Sequence, residues 1–194
     1  MTTPSDPIYG IAAAPGDNVS GLAIVGTIGG ANNYPGAESP AKSIDMDVNT
    51  KYLNFREVNC GLIIKPSGSE ALKEFRFAAA NDAPERDPFN VVIQGMTGVV
   101  DDVLGALNTT WATIYNGPSG LEADPGRFTF GPWMAVNAAQ PYSIYRIIIT
   151  SVRNGAAANS VQFSEIELNG IPEPASLALL SLALPLLRAR RRNA

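Results

Sequence analysis

The sequence predicts an all-β chain folded as a sandwich or jelly roll, and three observations lead there. Glycine and proline are abundant, 18 and 15 in 194 residues, while only 16% of residues are charged. That balance favours a turn-rich β chain over a helical one. Apolar residues fall in short runs, several with a period of two, and turn signals separate them. About eight such runs at this spacing indicate two packed layers. The first 170 or so residues suit one domain, long enough to bury a sizeable core, and no repeat of about 20–50 residues is visible.

In chain order, residues 1–20 carry Thr-Pro, Asp-Pro and Ala-Pro-Gly breakers and read as a loose N-terminal segment. A first strand is expected at residues 21–27, then a loop, then a compact polar stretch at 42–54. Residues 61–65 read as a short strand. Residues 72–79 put Phe75 and Phe77 on one face and Glu74 and Arg76 on the other. The loop Asn-Asp-Ala-Pro-Glu-Arg-Asp-Pro at 81–88 precedes a β-branched strand at 89–95, and residues 96–109 are a glycine-broken acidic excursion. Short strands are expected at 111–115 and 127–130, with turns between them. Residues 143–150 are apolar on both faces, as a strand covered on both sides should be. In residues 161–168 the apolar parity changes: Val161 and Phe163 share one phase, Ile166 and Leu168 the other. A β-bulge near Ser164 and Glu165 would restore one inward face.

Composition excludes several kinds of chemistry. The net charge is −4, yet four of the 14 basic residues lie in the last seven positions. Up to Glu173 the chain carries ten basic and 18 acidic residues, a charge of about −8. Nucleic acid is therefore not an expected partner, because phosphate binding needs clustered Lys and Arg. There is no histidine, which removes Ser-His-Asp and Cys-His catalysis and most catalytic zinc sites. Cys60 is the single cysteine, so no internal disulfide can form, and a small core residue is the expectation over a reactive thiol.

The densest polar constellation is Lys42-Ser-Ile-Asp45-Met-Asp47-Val-Asn49-Thr50. Two carboxylates, an amide and a hydroxyl within six residues suit Ca²⁺, which takes oxygen ligands. It is not an EF-hand, whose sixth and twelfth positions hold Gly and Glu where this chain has Thr50 and Arg56. A solvated Asx-turn loop is the alternative reading of the same residues.

The segment Ala-Lys-Ser-Ile-Asp-Met-Asp-Val-Asn-Thr-Lys-Tyr-Leu at 41–53, the alternating strands after it, and Gln-Phe-Ser-Glu-Ile-Glu-Leu-Asn-Gly at 162–170 together resemble the discoidin, or F5/8 type C, galactose-binding-like domain. Several carbohydrate-binding modules share that fold. Asp45, Asp47 and Thr50 match the pattern, while Met46 stands for its glycine and Tyr52 for its tryptophan. The resemblance implies a structural Ca²⁺ where this loop meets the last strand. Asp45, Asp47 and Glu165 would then supply carboxylates, Thr50 a carbonyl or hydroxyl, and Lys42 and Ser164 main-chain carbonyls. Glycine at position 46 would permit a positive φ that methionine resists.

Sugar recognition needs aromatic rings against apolar sugar faces and planar polar groups for hydroxyls. The candidates are Tyr34 and Trp133, in proline- and glycine-rich loops, with Asn81, Arg86 and Arg127 as polar partners. Tyr52, Trp111 and Tyr142 are further aromatics, and Trp111, heading an alternating run, is expected in the core. For Arg86 the structural expectation is an ion pair with Glu85, Asp87 or Asp82, pinning two proline turns.

The chain closes on Pro172-Glu173-Pro174, an uncharged Leu/Ala run at 175–187, and Arg188, Arg190, Arg191 and Arg192. Thirteen apolar residues as helix span roughly 20 Å against a hydrocarbon core of about 30 Å, so a permanent anchor is not expected. This order closely resembles the PEP-CTERM sorting signal of Gram-negative bacteria. The resemblance implies export, passage through the inner membrane, and cleavage by an exosortase-type enzyme. The expected organisation is a loose segment at 1–20, a discoidin-like domain at 21–170, and a sorting tail with a short apolar helix at 171–194. An exported chain should begin with a basic and then an apolar run. Here the first basic residue is Lys42, so the true start is expected upstream of Met1. The combined expectation is a non-catalytic surface or matrix protein binding exopolysaccharide or surface glycan. The alternatives are a purely structural matrix protein and a polysaccharide hydrolase using carboxylate pairs such as Asp101 and Asp102 or Glu165 and Glu167.

Overall fold

The computed structural model describes residues 2–13, 22–25, 33–68, 70–96, 110–136, 138 and 140–172. Eleven strands are described: β1 (Ile8–Ala13), β2 (Leu22–Ile24), β3 (Tyr52–Asn54), β4 (Cys60–Ile64), β5 (Glu70–Ala78), β6 (Pro88–Met96), β7 (Ala112–Pro118), β8 (Met134–Ala135), β9 (Ile144–Val152), β10 (Val161–Phe163) and β11 (Glu165–Pro172). The only helical elements among the described residues are 3-10 turns at Gly36–Glu38, Pro40–Ser43 and Pro84–Arg86. None of the described helices is long and apolar enough to cross a membrane. The sorting tail beyond Pro172, its apolar helix, and the Asp101–Asp102 pair lie outside the described residues.

The strands form two layers. One is a six-stranded antiparallel sheet in the order β2-β1-β4-β9-β6-β7. The other combines the three-stranded sheet β11-β5-β8 with the pair β10-β3. Ser164 joins them, its N–H bonded to the carbonyl of Ala78 at 2.9 Å. Between the layers, Leu62, Ile64, Val91, Ile93, Ile147 and Ile149 meet Leu72, Phe75, Phe77, Phe163, Ile166 and Leu168, all buried. Edge-on rings lock this core, Phe77 against Phe163 at 4.9 Å and Phe75 against Tyr115 at 5.0 Å. Strand β9 is central, and Ile144 and Ile148 on its second face are also fully buried, beside Ile11, Ile63 and Met96. The prediction of a strand covered on both sides therefore holds.

Several expectations change. The stretch read as a loose N-terminus contains β1, which pairs with β4 from Ile8↔Ile64 to Ala12↔Cys60. Its Gly10 leaves room for neighbours, since a Cβ there would stand 2.7 Å from a Val25 methyl and 2.8 Å from the Tyr52 hydroxyl. Strand β3 falls inside the stretch read as compact and polar. Tyr52 is fully buried there and donates a 3.2 Å hydrogen bond to the carbonyl of Gly61. Residues 127–130 are not a strand. Arg127 and Phe128 form a turn with Phe128 at φ 60°, and Phe130 makes only an isolated bridge to Ala78. The N–H of Phe128 and the carbonyl of Thr129 bond to Ala79 and the N–H of Gly131 to the Phe77 carbonyl, so the segment follows the end of β5 as a turn, while the Arg127 side chain pairs with Asp87 and Asp124. The parity change at Ser164 is a change of partner rather than a bulge. Strand β10 pairs with β3, β11 pairs with β5, and the register shift in the β11–β5 pair lies at Asn169/Gly170, where Lys73 of β5 is the extra residue.

Candidate functional site

The 42–50 loop is built from short-range hydrogen bonds that turn its oxygens inward. The 3-10 turn Pro40–Ser43 is closed by the Ser43 hydroxyl on the Pro40 carbonyl at 2.6 Å, and Ile44, 2% exposed, anchors the start of the acidic turn. Met46 adopts φ 64°, the left-handed conformation expected of a glycine, and leaves its side chain 81% exposed. The conformation carries a steric cost for a residue with a Cβ. It aims the N–H of Asp47 at two carboxylates, Asp45 Oδ1 at 3.2 Å and Glu165 Oε1 at 3.1 Å.

Four acceptor oxygens crowd the single hydroxyl proton of Thr50. Asp45 Oδ1 and Oδ2 lie 3.0 and 2.9 Å from Thr50 Oγ1, the Asp47 carbonyl 3.2 Å and the Lys42 carbonyl 3.4 Å. One hydroxyl donates one hydrogen bond, so these oxygens also draw on other donors: the Thr50 N–H reaches the Asp47 carbonyl at 3.0 Å, and Asp45 accepts from the Asp47 N–H and from Lys42. Glu165, 2% exposed, adds a carboxyl beside Asp45. Burial, then the Asp45 carboxyl, pushes its pKa up to about 8. Burial also works against ionisation of Asp45, but hydrogen bonds from Lys42 and Thr50 outweigh it and hold that carboxyl below its usual range. The Lys42 ammonium sits 3.0 Å from Asp45 Oδ2.

This all-oxygen set fits the hard donors of a calcium site. The expected ligands separate in the structure. Asp45, Thr50, Glu165 and the Lys42 carbonyl converge with the Asp47 carbonyl. The Asp47 carboxylate instead accepts from the Asn49 main chain at 3.0 Å and its side-chain amide at 2.7 Å. The Ser164 hydroxyl sits on the carbonyls of Ala78 and Ala79, a contact that does not involve the main-chain carbonyl expected as a ligand. Among the described residues no group of three His, Cys, Asp or Glu side chains is placed to hold a metal. Main-chain carbonyls and one hydroxyl would have to complete any coordination shell begun by Asp45 and Glu165.

A pocket of about 340 Å³ opens beside this loop, lined by Thr2, Met46, Trp133, Glu165, Glu167 and Asn169 among others. It lies on the outer side of the three-stranded sheet. Glu165, Glu167 and Asn169 alternate with the inward Ile166 and Leu168 along β11. Trp133 is 39% exposed. The Arg76 guanidinium lies 4.1 Å from the Phe130 ring centre and 4.3 Å from that of Trp133, with its Nε 2.7 Å from Glu167 Oε2. Asn169 donates to Glu74 at 2.7 Å.

The other ligand candidates do not line this pocket. Tyr34 packs on Tyr52 with ring centres 6.2 Å apart and is half-buried. Asn81 is exposed on the 81–87 loop. Arg127 is held by Asp87 at 2.6 Å and Asp124 at 2.7 Å. Those two carboxylates raise the Arg127 pKa further above its ordinary value. Arg86 is not the ion-pair partner foreseen for this loop. Fully buried Asp87 takes Arg127 and, at 2.9 Å, Arg153, while Asp82 takes Lys51 at 3.0 Å. Arg86 Nε is buried with no hydrogen-bond partner among the described residues. Arg153 had no local signal in the sequence, because it reaches Asp87 only through the fold. Trp111 is half-buried against the outer apolar cluster, with Arg146 over its ring at 4.4 Å, close to the core position expected. Cys60 is buried, and burial raises its thiol pKa well above the ordinary value, as a structural residue requires.

No protein-family model matches this sequence, and no curated protein matches it either. Solved structures do. The Clostridium perfringens module CpGH89CBM32-5, in complex with GalNAc-β-1,3-galactose, superposes with a TM-score of 0.53 at 10% identity, covering 84% of this chain and 94% of that one. A variant of chitosan-binding module 1 from a Paenibacillus sp. IK-5 chitosanase/glucanase gives 0.53 at 13% identity, over 87% and 98%. An F5/8 type C domain from Bacteroides fragilis gives 0.54 at 12% identity, over 87% and 93%. At these identities the likeness is one of fold. The chain is an all-β sandwich with the architecture of F5/8 type C domains and carbohydrate-binding modules.

Proposed function

We propose that this chain is a non-catalytic glycan-binding module of a cell surface or extracellular matrix, with a structural Ca²⁺ in its 42–50 loop. The observation that carries the glycan reading is the pocket beside Trp133. It joins an exposed indole to the planar polar groups of Glu167 and Asn169 on a rigid sheet, the combination that sugar faces and hydroxyls require. The solved module of this fold in complex with a sugar supports it by analogy of architecture. Asp45, Glu165, Thr50 and the carbonyls of Lys42 and Asp47 would hold the ion. The ion would supply positive charge to the adjoining carboxyls of Asp45 and Glu165. A glycan panel probed with the intact chain and with Trp133→Ala tests the reading. Binding lost in the variant supports it, and silence across the panel with a folded protein overturns it.

Export and sorting belong to the same proposal. The Pro172-Glu173-Pro174 motif, apolar run and terminal arginines would pass the chain through the inner membrane of a Gram-negative cell to an exosortase-type enzyme.

A purely structural surface protein is the second reading. It is favoured by the internal use of Arg127 and Tyr34, which are held within the fold and not presented to a ligand. A hydrolase finds less support: Glu167 is paired to Arg76 and Glu165 is buried beside Asp45. Neither carboxyl stands across a cleft from a free partner as glycosidic cleavage needs.

A further inference from the structure

We propose that Asn154 is a site of spontaneous chemical modification, where water converts the side-chain amide to aspartate and isoaspartate, and that the isoaspartate form releases the 153–157 turn from the 81–87 loop. Three Asn-Gly pairs occur in the chain, at 116–117, 154–155 and 169–170. Glycine after asparagine leaves the following main-chain nitrogen unshielded and the backbone free to rotate. That nitrogen can attack the asparagine Cγ. A five-membered succinimide ring closes, and the side-chain nitrogen departs as ammonia, taking the proton of the glycine N–H. Water then opens the ring at either carbonyl. Attack at Cγ gives aspartate, and attack at the main-chain carbonyl gives isoaspartate, whose backbone runs through the side chain.

The fold separates the three pairs. Asn116 and Gly117 stand opposite Val92 and Val91 in the β6–β7 ladder, and Asn169 and Gly170 opposite Glu74 and Leu72 in the β5–β11 ladder. The Asn169 amide also donates to Glu74 at 2.7 Å. Ring closure at either place requires a paired strand to rotate, and strands open less readily than turns. Asn154 and Gly155 lie in the turn at 153–157, and both are exposed. Neither the Asn154 side-chain amide nor the Gly155 N–H is engaged by another described residue. The conversion needs no glycan, metal or enzyme.

The turn is also a place where the change would be felt. The N–H groups of Arg153 and Asn154 donate to the carbonyls of Asp87 and Glu85 at 2.9 and 3.0 Å. The Asn154 carbonyl accepts from Ala157 at 3.0 Å and Ala158 at 2.9 Å. Isoaspartate puts one more carbon into the main chain between that N–H and that carbonyl. The bond to the 81–87 loop and the bonds that close the turn then cannot keep their shared register. Aspartate leaves the main chain as it was.

Peptide mapping by mass spectrometry, on the intact chain aged at mildly alkaline pH, tests the site. Asn154 is expected to convert roughly tenfold or more faster than Asn116 and Asn169, and the three rates should draw together in a urea-unfolded control. Gly155→Ala should slow conversion at 154 severalfold. A Cβ there would stand 3.3 Å from Glu57 Oε1, the end of a movable side chain, so the variant should fold. In hydrogen exchange, the amides of residues 153 and 154 should lose protection in the isoaspartate form and keep it in Asn154→Asp. Faster conversion at Asn116 or Asn169, or an intact Asn154 once the unfolded control has converted, overturns the modification site. Unchanged exchange in the isoaspartate form overturns the release of the turn.

Discussion

Two acidic loops sit on this sandwich, and they solve opposite problems. In the 81–87 loop two negative charges have cations: buried Asp87, whose pKa burial still raises, takes Arg127 and Arg153, and exposed Asp82 takes Lys51 with Gln162 alongside. Burial works against ionisation of Asp82, but Gln162 and Lys51 outweigh it and keep the carboxyl ionised below its usual range. In the 42–50 loop the balance runs the other way. Asp45 and Glu165 adjoin each other with one lysine and the N–H of Asp47 between them, and burial with the Asp45 carboxyl makes Glu165 keep its own proton to about pH 8. The first loop is a strut whose charges are spent on holding the fold. The second is a set of donors with capacity to spare, and it adjoins the pocket. Acidic residues alone do not distinguish a site from a brace; the ratio of carboxyls to cations does.

The sharpest way to break this contrast is Asp87→Ala. It leaves two guanidiniums beside a vacated buried site with only the exposed Asp124 to pair them, and removing one partner of a buried pair costs about 3–5 kcal/mol. The urea midpoint should fall with the m-value unchanged, and calcium should not restore it. A loss under about 1 kcal/mol would mean that the strut is ornamental.

Next in size is the pH dependence of Glu165. Its folded pKa of about 8 stands above the ordinary value of 4.5. The folded state therefore binds the extra proton between those values, and its contribution to stability is full below about pH 4.5 and lost as pH rises through 8. The calcium-free chain should lose stability across that window. Glu165→Gln should flatten the slope and raise Tm at pH 8.5, which thermal melts at several pH values will show. A slope that persists in the variant would remove Glu165 as its cause.

A smaller effect is expected from Asp82→Asn, whose carboxylate is partly solvated. Pairs of this exposure contribute about 0–1 kcal/mol, so a Tm change of a few degrees at most is predicted, together with unaltered glycan binding. The smallest stability change should come from Trp133→Ala, under about 1 kcal/mol, because the ring is exposed. Its effect should appear in glycan binding instead. A large stability loss there would make Trp133 another strut.

Much of the sandwich was legible in the sequence because its strongest signals are local. The alternation of Phe75 and Phe77 with Glu74 and Arg76, and the doubly apolar run of β9, reflect the surroundings of each face. The parity change at Ser164 was also legible, although its cause is an exchange of partner strands that no local pattern encodes. Strand β1 was hidden because its pairing with β4 is non-local and its breakers mimic a loose end. Residues 127–130 misled for the opposite reason: a short β-like run is broken by the left-handed turn at Phe128.

In the candidate site, Asp45, Thr50 and Glu165 were found from a resemblance and a break in periodicity that coincided. The αL conformation of Met46 was not, because a Cβ in that region carries a cost that only the surrounding loop can offset. The pocket at Glu167 and Asn169 was invisible because its lining comes from four separate stretches. Trp133 alone among the ligand candidates lies in it.

The contrast between the loops is tested most directly by a calorimetric melt of the intact chain with and without millimolar calcium, alongside Glu165→Gln. Calcium at about a hundred times its Kd should add about 2.7 kcal/mol, a rise in Tm of roughly 5–10 °C for a domain of this size. The rise should shrink sharply in Glu165→Gln and be matched in full by Asp82→Asn. An unchanged Tm in the parent chain, or an equal rise in Glu165→Gln, would contradict the reading of the 42–50 loop as a cation site.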